Sequence, residues 1–279
     1  MLHMTNTLNY KPELIFYAGS ALLEGPVWDE KHDRIYFISI PDEMIYRFNP
    51  ETTEIRTYLT DGPVGAAVLN KEGMLISAEK NGIVQIDPET GKRTELVHPN
   101  TDDRMRYNDG KLDSEGRFLI GTMGAEEVVE GAASLYSIEG ESYTEVLTDL
   151  SIANGLGWSQ DGKTFYHIDT PTKKVRQFDY NKDSGSLSNG TDCIEITGDG
   201  NPDGMCVDLD DMLWVAEYGG GKVCKWNPEN GEKIMEILLP VTNVTSCCIG
   251  GKDKNMLFIT TAKEGEEELS GGLFKVKIR

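Results

Sequence analysis

The chain has 279 residues, 38% of them hydrophobic, and a formal net charge of −20. Such an acidic balance argues against nucleic acid and anionic membranes as partners, since both reward basic surfaces. A solvated acidic surface accounts for most of that charge, which at long range repels anions and attracts metal cations. No apolar run of about 18 residues occurs, and no basic segment leads into an apolar one. The expectation is therefore a cytoplasmic protein with no membrane span and no secretory signal. Five cysteines without a CxxC pair fit a reduced compartment, and Cys206, Cys247 and Cys248, on predicted inner strands, read as space-filling free thiols.

Residues 1–9 are polar and expected to fray, and the first apolar element is a strand over 13–18. Glu24 then opens a frame that organises the chain. A residue at a strand mouth is followed four positions later by an apolar strand residue (Trp28), then by a turn at His32-Asp33 and a second strand over 35–40. Two further strands follow, separated by the turn Asn49-Pro-Glu-Thr, where Pro fixes φ and ends the strand. The frame returns at Gly65 (Leu69, Gly73), Asn108 (Leu112, Gly116), Asn154 (Trp158, Gly162) and Asp203 (Val207, Asp211). A degenerate copy begins near Ser246 and turns at Gly250-Gly251. In the third copy an acidic insertion over 124–131 follows the inner hairpin; Glu127 and Glu130 read first as simply solvated, and a loop leaving the second strand can also fold back over the channel mouth.

Copies about 40 to 50 residues apart have the period of a propeller blade. A small four-stranded sheet cannot bury both faces alone, so such copies pack radially around an axis. The prediction is all-β: one six-bladed β-propeller domain spanning 1–279. Its terminal strands, 13–18 and 272–279, share the closing blade and so remove two sheet edges. The recurring tryptophans Trp28, Trp158, Trp214 and Trp226 fall at blade-equivalent strand positions and read as packing between blades.

Radial packing brings the first residue of each frame to one ring: Glu24, Gly65, Asn108, Asn154, Asp203 and about Ser246. Asn154-Gly155 and Asp203-Gly204, each taken alone, also read as simple turns. Jointly, two carboxylates and two carboxamides at symmetry-related positions make a site for a hard divalent cation. Ca²⁺ suits oxygen donors of irregular denticity best, with Mn²⁺, Mg²⁺ or Zn²⁺ as alternatives.

Other motifs fail on context. Residues 157–164 match GxxxxGK[ST], but a strand follows where a phosphate loop needs a helix. Asp199 to Gly204 opens like an EF-hand loop, yet its twelfth position is Asp210 and its flanks read as strands. The four histidines form no HExxH, His167 reads as a packed strand residue, and no GxSxG is present.

Six segments carry a resemblance: Glu24-Gly-Pro-Val-Trp, Arg106-Tyr-Asn108-Asp-Gly-Lys, Gly121-Thr-Met, Asn154-Gly-Leu, Pro202-Asp203-Gly-Met-Cys and Thr245-Ser-Cys-Cys-Ile-Gly-Gly. In this order and spacing the chain resembles the regucalcin/gluconolactonase (senescence marker protein) family over nearly its whole length. The resemblance implies a six-bladed propeller holding one divalent metal and hydrolysing a sugar lactone to the aldonic acid. It implies Glu24, Asn154 and Asp203 as metal ligands, with Asp203 also the general base. Arg106, Asn108 and an acid after Gly-Thr-Met, placed at Glu126 with Glu127 as the alternative, contact substrate. The metal would polarise the lactone carbonyl while Asp203 takes the proton of the attacking water. The alternatives are a related metal-dependent esterase or phosphotriesterase, and a non-enzymatic calcium-binding propeller. The partner is thus a small-molecule sugar lactone, and the chain is expected to be a monomer or a weak homo-oligomer.

Overall fold

The computed structural model describes residues 10–263 and 265–279; the expected frayed stretch 1–9 lies outside them. The frame folds as read. Each copy is a four-stranded antiparallel sheet, and six such sheets form the blades. The first strands of the copies, Leu23–Asp29, Val64–Leu69, Met105–Leu112, Ala153–Trp158, Asn201–Val207 and Val244–Gly250, pack on one another in sequence order. The last returns to the first, so these six strands line a channel. In the sixth blade the order from the channel outward runs Val244–Gly250, Met256–Thr261, Gly272–Lys277 and Glu13–Tyr17. The two termini therefore close the ring within one sheet.

Blade packing follows from strand alternation. Every sheet has two apolar faces, and each is buried against a neighbour. Tyr36, Ile38 and Ile45 of the first blade, for example, meet Ala67, Leu75 and Ile86 of the second. Trp28 stacks on Phe258 of the sixth blade with centroids 5.0 Å apart, which is the inter-blade role expected of it. At roughly 1.5–3 kcal/mol per fully buried large side chain, these interfaces hold the ring. His167 is packed as expected: buried beside Phe165, its imidazole is driven down to about 3 by desolvation and then by Arg176, and stays neutral. No helix among the described residues is long and apolar enough to cross a membrane.

Each hairpin next to the channel turns through a left-handed residue at the frame's turn position, such as Gly162 with φ of 65°. At the opposite end lies a feature that aims the site. All six channel-lining strands break register where the ring residue sits, between Glu24/Val27, Val64/Ala66, Tyr107/Gly110, Asn154/Leu156, Pro202/Met205 and Val244/Ser246. A bulge leaves the ladder locally unpaired and re-aims a side chain. Here it occurs six times at one level of the channel. Close approach of neighbouring strands explains the glycines at this level. A Cβ on Gly155 would stand 2.6 Å from the Asp203 carbonyl oxygen, and one on Gly204 would stand 2.0 Å from Ser246 Oγ.

Candidate active site

The bulges bring Glu24, Arg106, Asn108, Asn154 and Asp203 to one cavity of about 300 Å³ at the channel mouth. Four of the ring members expected from the frame are therefore together, with Arg106 beside them. Gly65 contributes no side chain, and Ser246 Oγ packs toward Gly204. Glu126 is not in the cavity. Its strand, Phe118–Gly124, runs two residues beyond the expected 118–122, which leaves Met123 on the cavity wall. At Gly124 the loop doubles back: a Cβ there would collide with the Glu127 carbonyl oxygen. Glu126 and Glu127 are both left exposed.

Hydrogen bonds fix the orientation of both carboxamides. The Thr170 hydroxyl donates to the Pro202 carbonyl (2.8 Å), so it can only accept from Asn154 Nδ2 (3.1 Å). Asn154 Oδ1 is thereby presented as an acceptor. Asn108 Nδ2 donates to the Ala153 carbonyl (3.0 Å), and its Oδ1 accepts from Arg106 (3.0 Å). The same guanidinium nitrogen donates to the Tyr107 carbonyl at 2.9 Å. Glu24 turns back within its bulge to accept the Gly25 amide at 2.7 Å, and Asp109 accepts the Gly110 amide at 2.7 Å in the same manner.

Asp109 and Lys111, which the frame did not single out, act on the site from behind the cavity wall: Asp109 raises the Glu24 and Asp203 carboxyls. Asp109 is buried and its Oδ2 has no hydrogen-bond partner. Lys111 comes from the third blade and donates to the Met205 carbonyl of the fifth. It thus spans the channel and floors the site, and its other side borders a second cavity of about 350 Å³ at the far mouth. The glycine following Asp109 was the available signal, because a glycine inside a strand pattern marks a bulge.

The electrostatics are those of crowded, buried acids. Desolvation raises the Asp203 carboxyl to about 8, and Asp109 pushes in the same direction, with a hydrogen bond from Asn154 and the charge of Arg106 opposing. Glu24 is raised well above the ordinary carboxyl value by burial, then by Asp203 and Asp109. Asp109 is raised by burial while Lys111 pulls it back. Burial lowers the Arg106 guanidinium, and Glu24 and Asp203 resist that shift.

This donor set fits a divalent cation. Two buried carboxylates that repel one another and an oriented carboxamide oxygen are hard ligands, and the one guanidinium beside them, Arg106, leaves both acids raised. Among the described residues no cluster of three or more His, Cys, Asp or Glu is arranged to hold a metal; the carboxamide oxygen that faces the two acids without an arginine partner is that of Asn154. Thr170 is its support. Removing the hydroxyl in Thr170→Val frees the carboxamide to rotate, and calorimetric titration with Ca²⁺ is expected to show affinity about tenfold weaker. Thr170→Ser should restore it, and the melting temperature should change little.

Fold and cavity together define a class: a closed six-bladed propeller with a buried acid–amide–guanidinium cavity at one end of its channel. The SMP-30/Gluconolactonase/LRE-like region matches residues 22–263. Regucalcin of Xenopus laevis is 37% identical over 267 residues, covering 91% of this chain and 89% of that protein. Regucalcin of Bos taurus is 34% identical over 268 residues, again covering 91% and 89%. Among solved structures, a calcium-binding protein, regucalcin, from Agrobacterium tumefaciens superposes with a TM-score of 0.90 at 24% identity, covering 97% of this chain and 96% of that one. A gluconolactonase from Xanthomonas campestris superposes with a TM-score of 0.78 at 20% identity, covering 97% and 90%. At those identities the two structures bear on the fold alone. The chain belongs to the SMP-30/gluconolactonase family.

Proposed function

We propose that this chain is a divalent-metal-dependent lactonase that opens a sugar lactone to the hydroxy acid. The observation that carries the reading is the company Glu24, Asn154 and Asp203 keep: Arg106 and Asn108 line the same cavity. A protein that only stored a cation would need neither. Membership in a family that includes gluconolactonases supports the reaction class.

Glu24, Asn154 and Asp203 would hold the cation, which when bound supplies a Lewis acid for the lactone carbonyl and a lowered pKa for water. The residues supply the rest. Arg106, with Asn108 bonded to it, offers a planar fork to hydroxyls or to the carboxylate that forms. As water adds to the carbonyl carbon, the Asp203 carboxylate accepts its proton. The ring C–O bond then breaks, and the departing alkoxide takes that proton to become the hydroxyl of the product. Burial of the acids keeps bulk water from competing for these groups.

A second reading, a calcium-binding propeller without catalysis, is favoured by the same oxygen donors, Glu24, Asn154 and Asp203, which suit Ca²⁺ with or without a substrate. A matrix of divalent metals against lactones, with a phosphotriester as an additional substrate, decides between them on chelator-stripped protein. Lactone hydrolysis restored by one or more metals is expected. Turnover of the phosphotriester alone would reassign the substrate class, and binding of Ca²⁺ with no hydrolysis would leave the non-catalytic reading.

A further inference from the structure

Above its polar floor the cavity has a different character. Leu22 and Ile40 of the first blade line one side, and Met123 with Ile152, at the junction of the third and fourth blades, line another. In a ring of six the first and fourth blades stand opposite, so the mouth is flanked by two facing apolar walls. Both are fixed by backbone pairing. Leu22 forms a bridge to Ala262 and accepts the Ile40 amide at 3.2 Å, while Met123 forms an antiparallel bridge to Ile152. Glu126 is exposed and contributes nothing to the lining.

We propose that the substrate is a small lactone carrying an apolar substituent, a deoxy or short-alkyl tail, gripped between Leu22/Ile40 and Met123/Ile152. Ile152 and Met123 are its specificity-determining residues. This rests on the lactonase reading and names the substrate class within it. A hydroxyl held against those four side chains loses its water and gains no partner from them, whereas a methyl or methylene gains contact on both sides; Thr170 and Tyr218 line the cavity between the walls. Ring hydroxyls keep their partners, because Arg106, Asn108 and Asn201 lie on the same cavity. A volume of about 300 Å³ also restricts the site to a single ring with a short tail.

The test measures kcat/KM of the metal-loaded protein on glucono-δ-lactone, on its terminally deoxygenated counterpart, and on an alkyl-substituted δ-lactone without hydroxyls. The deoxygenated compound is expected to exceed the hydroxylated one by about tenfold. Ile152→Ser and Met123→Ser should each collapse that ratio toward one, and Ile152→Val, which keeps the wall, should preserve it. A loss of folding would lower all three substrates together and leave their ratio alone. A preference for the hydroxylated lactone, or a wild-type ratio unmoved in both serine variants, overturns the inference while leaving the lactonase reading intact. Absence of turnover on all three lactones with every metal overturns both.

Discussion

Asp203→Asn is expected to lower kcat on a lactone by about 10²- to 10⁴-fold at saturating metal, the range for loss of a general base. Asparagine keeps an oxygen where the carboxylate had one, so a cation still finds three donors. It has no site that accepts a proton from water. Burial lifts the Asp203 carboxyl to about 8, into the range of a base that works near neutral pH, and Asn154 and Arg106 favour its charged form. A bound cation would add a third. Glu24 has one carboxylate oxygen already engaged by the Gly25 amide. Calorimetric titration with Ca²⁺ alongside steady-state rates separates the two roles. Wild-type turnover by the asparagine variant with metal bound would remove Asp203 from the proton-transfer step and leave it a ligand alone.

A repeat protein writes its tertiary structure in one dimension, and this is why the propeller and most of its ring were legible. Glu24, Asn108, Asn154 and Asp203 stand at one position of one frame, and rotational packing turns equal offsets into a shared cavity. What the frame could not carry were relations that break the repeat. The bulges at Glu24/Val27 and Pro202/Met205 are invisible as hydrophobic alternation; only the adjoining glycines hint at them. Lys111 reaching the Met205 carbonyl skips a whole blade, so no local pattern announces it. Thr170 acts on Asn154 from the turn after the second strand, where a Thr-Pro pair reads as a strand stop. Strand pairing outruns its expected end by two residues, which keeps Met123 on the wall and leaves Glu126 exposed beyond it.

Stripping the metal should make stability fall as pH rises, the reverse of the usual behaviour of paired carboxylates. The sign follows from the folded-state values. Asp203 is raised from 3.8 to about 8, and Glu24 is raised in the same direction. A folded protein that binds these protons more tightly than the unfolded chain is stabilised fully below the unfolded carboxyl pKa. That stabilisation is lost as pH climbs through the folded value. Melting temperature of chelated protein should thus decline between about pH 5 and about pH 9. Saturating divalent cation replaces the protons and removes the decline, raising the melting temperature by about 5 °C or more at neutral pH when the metal stands about 100-fold above its Kd. The same competition requires metal binding near neutral pH to release protons, which calorimetry in two buffers of different ionisation enthalpy reads directly. Asp203→Asn removes one of the two raised titrations and should make the slope shallower. A metal-free protein equally stable across that range, with no proton released on Ca²⁺ binding, would mean that Glu24 and Asp203 are not forced together at the channel mouth, and the cation would then have to be held elsewhere.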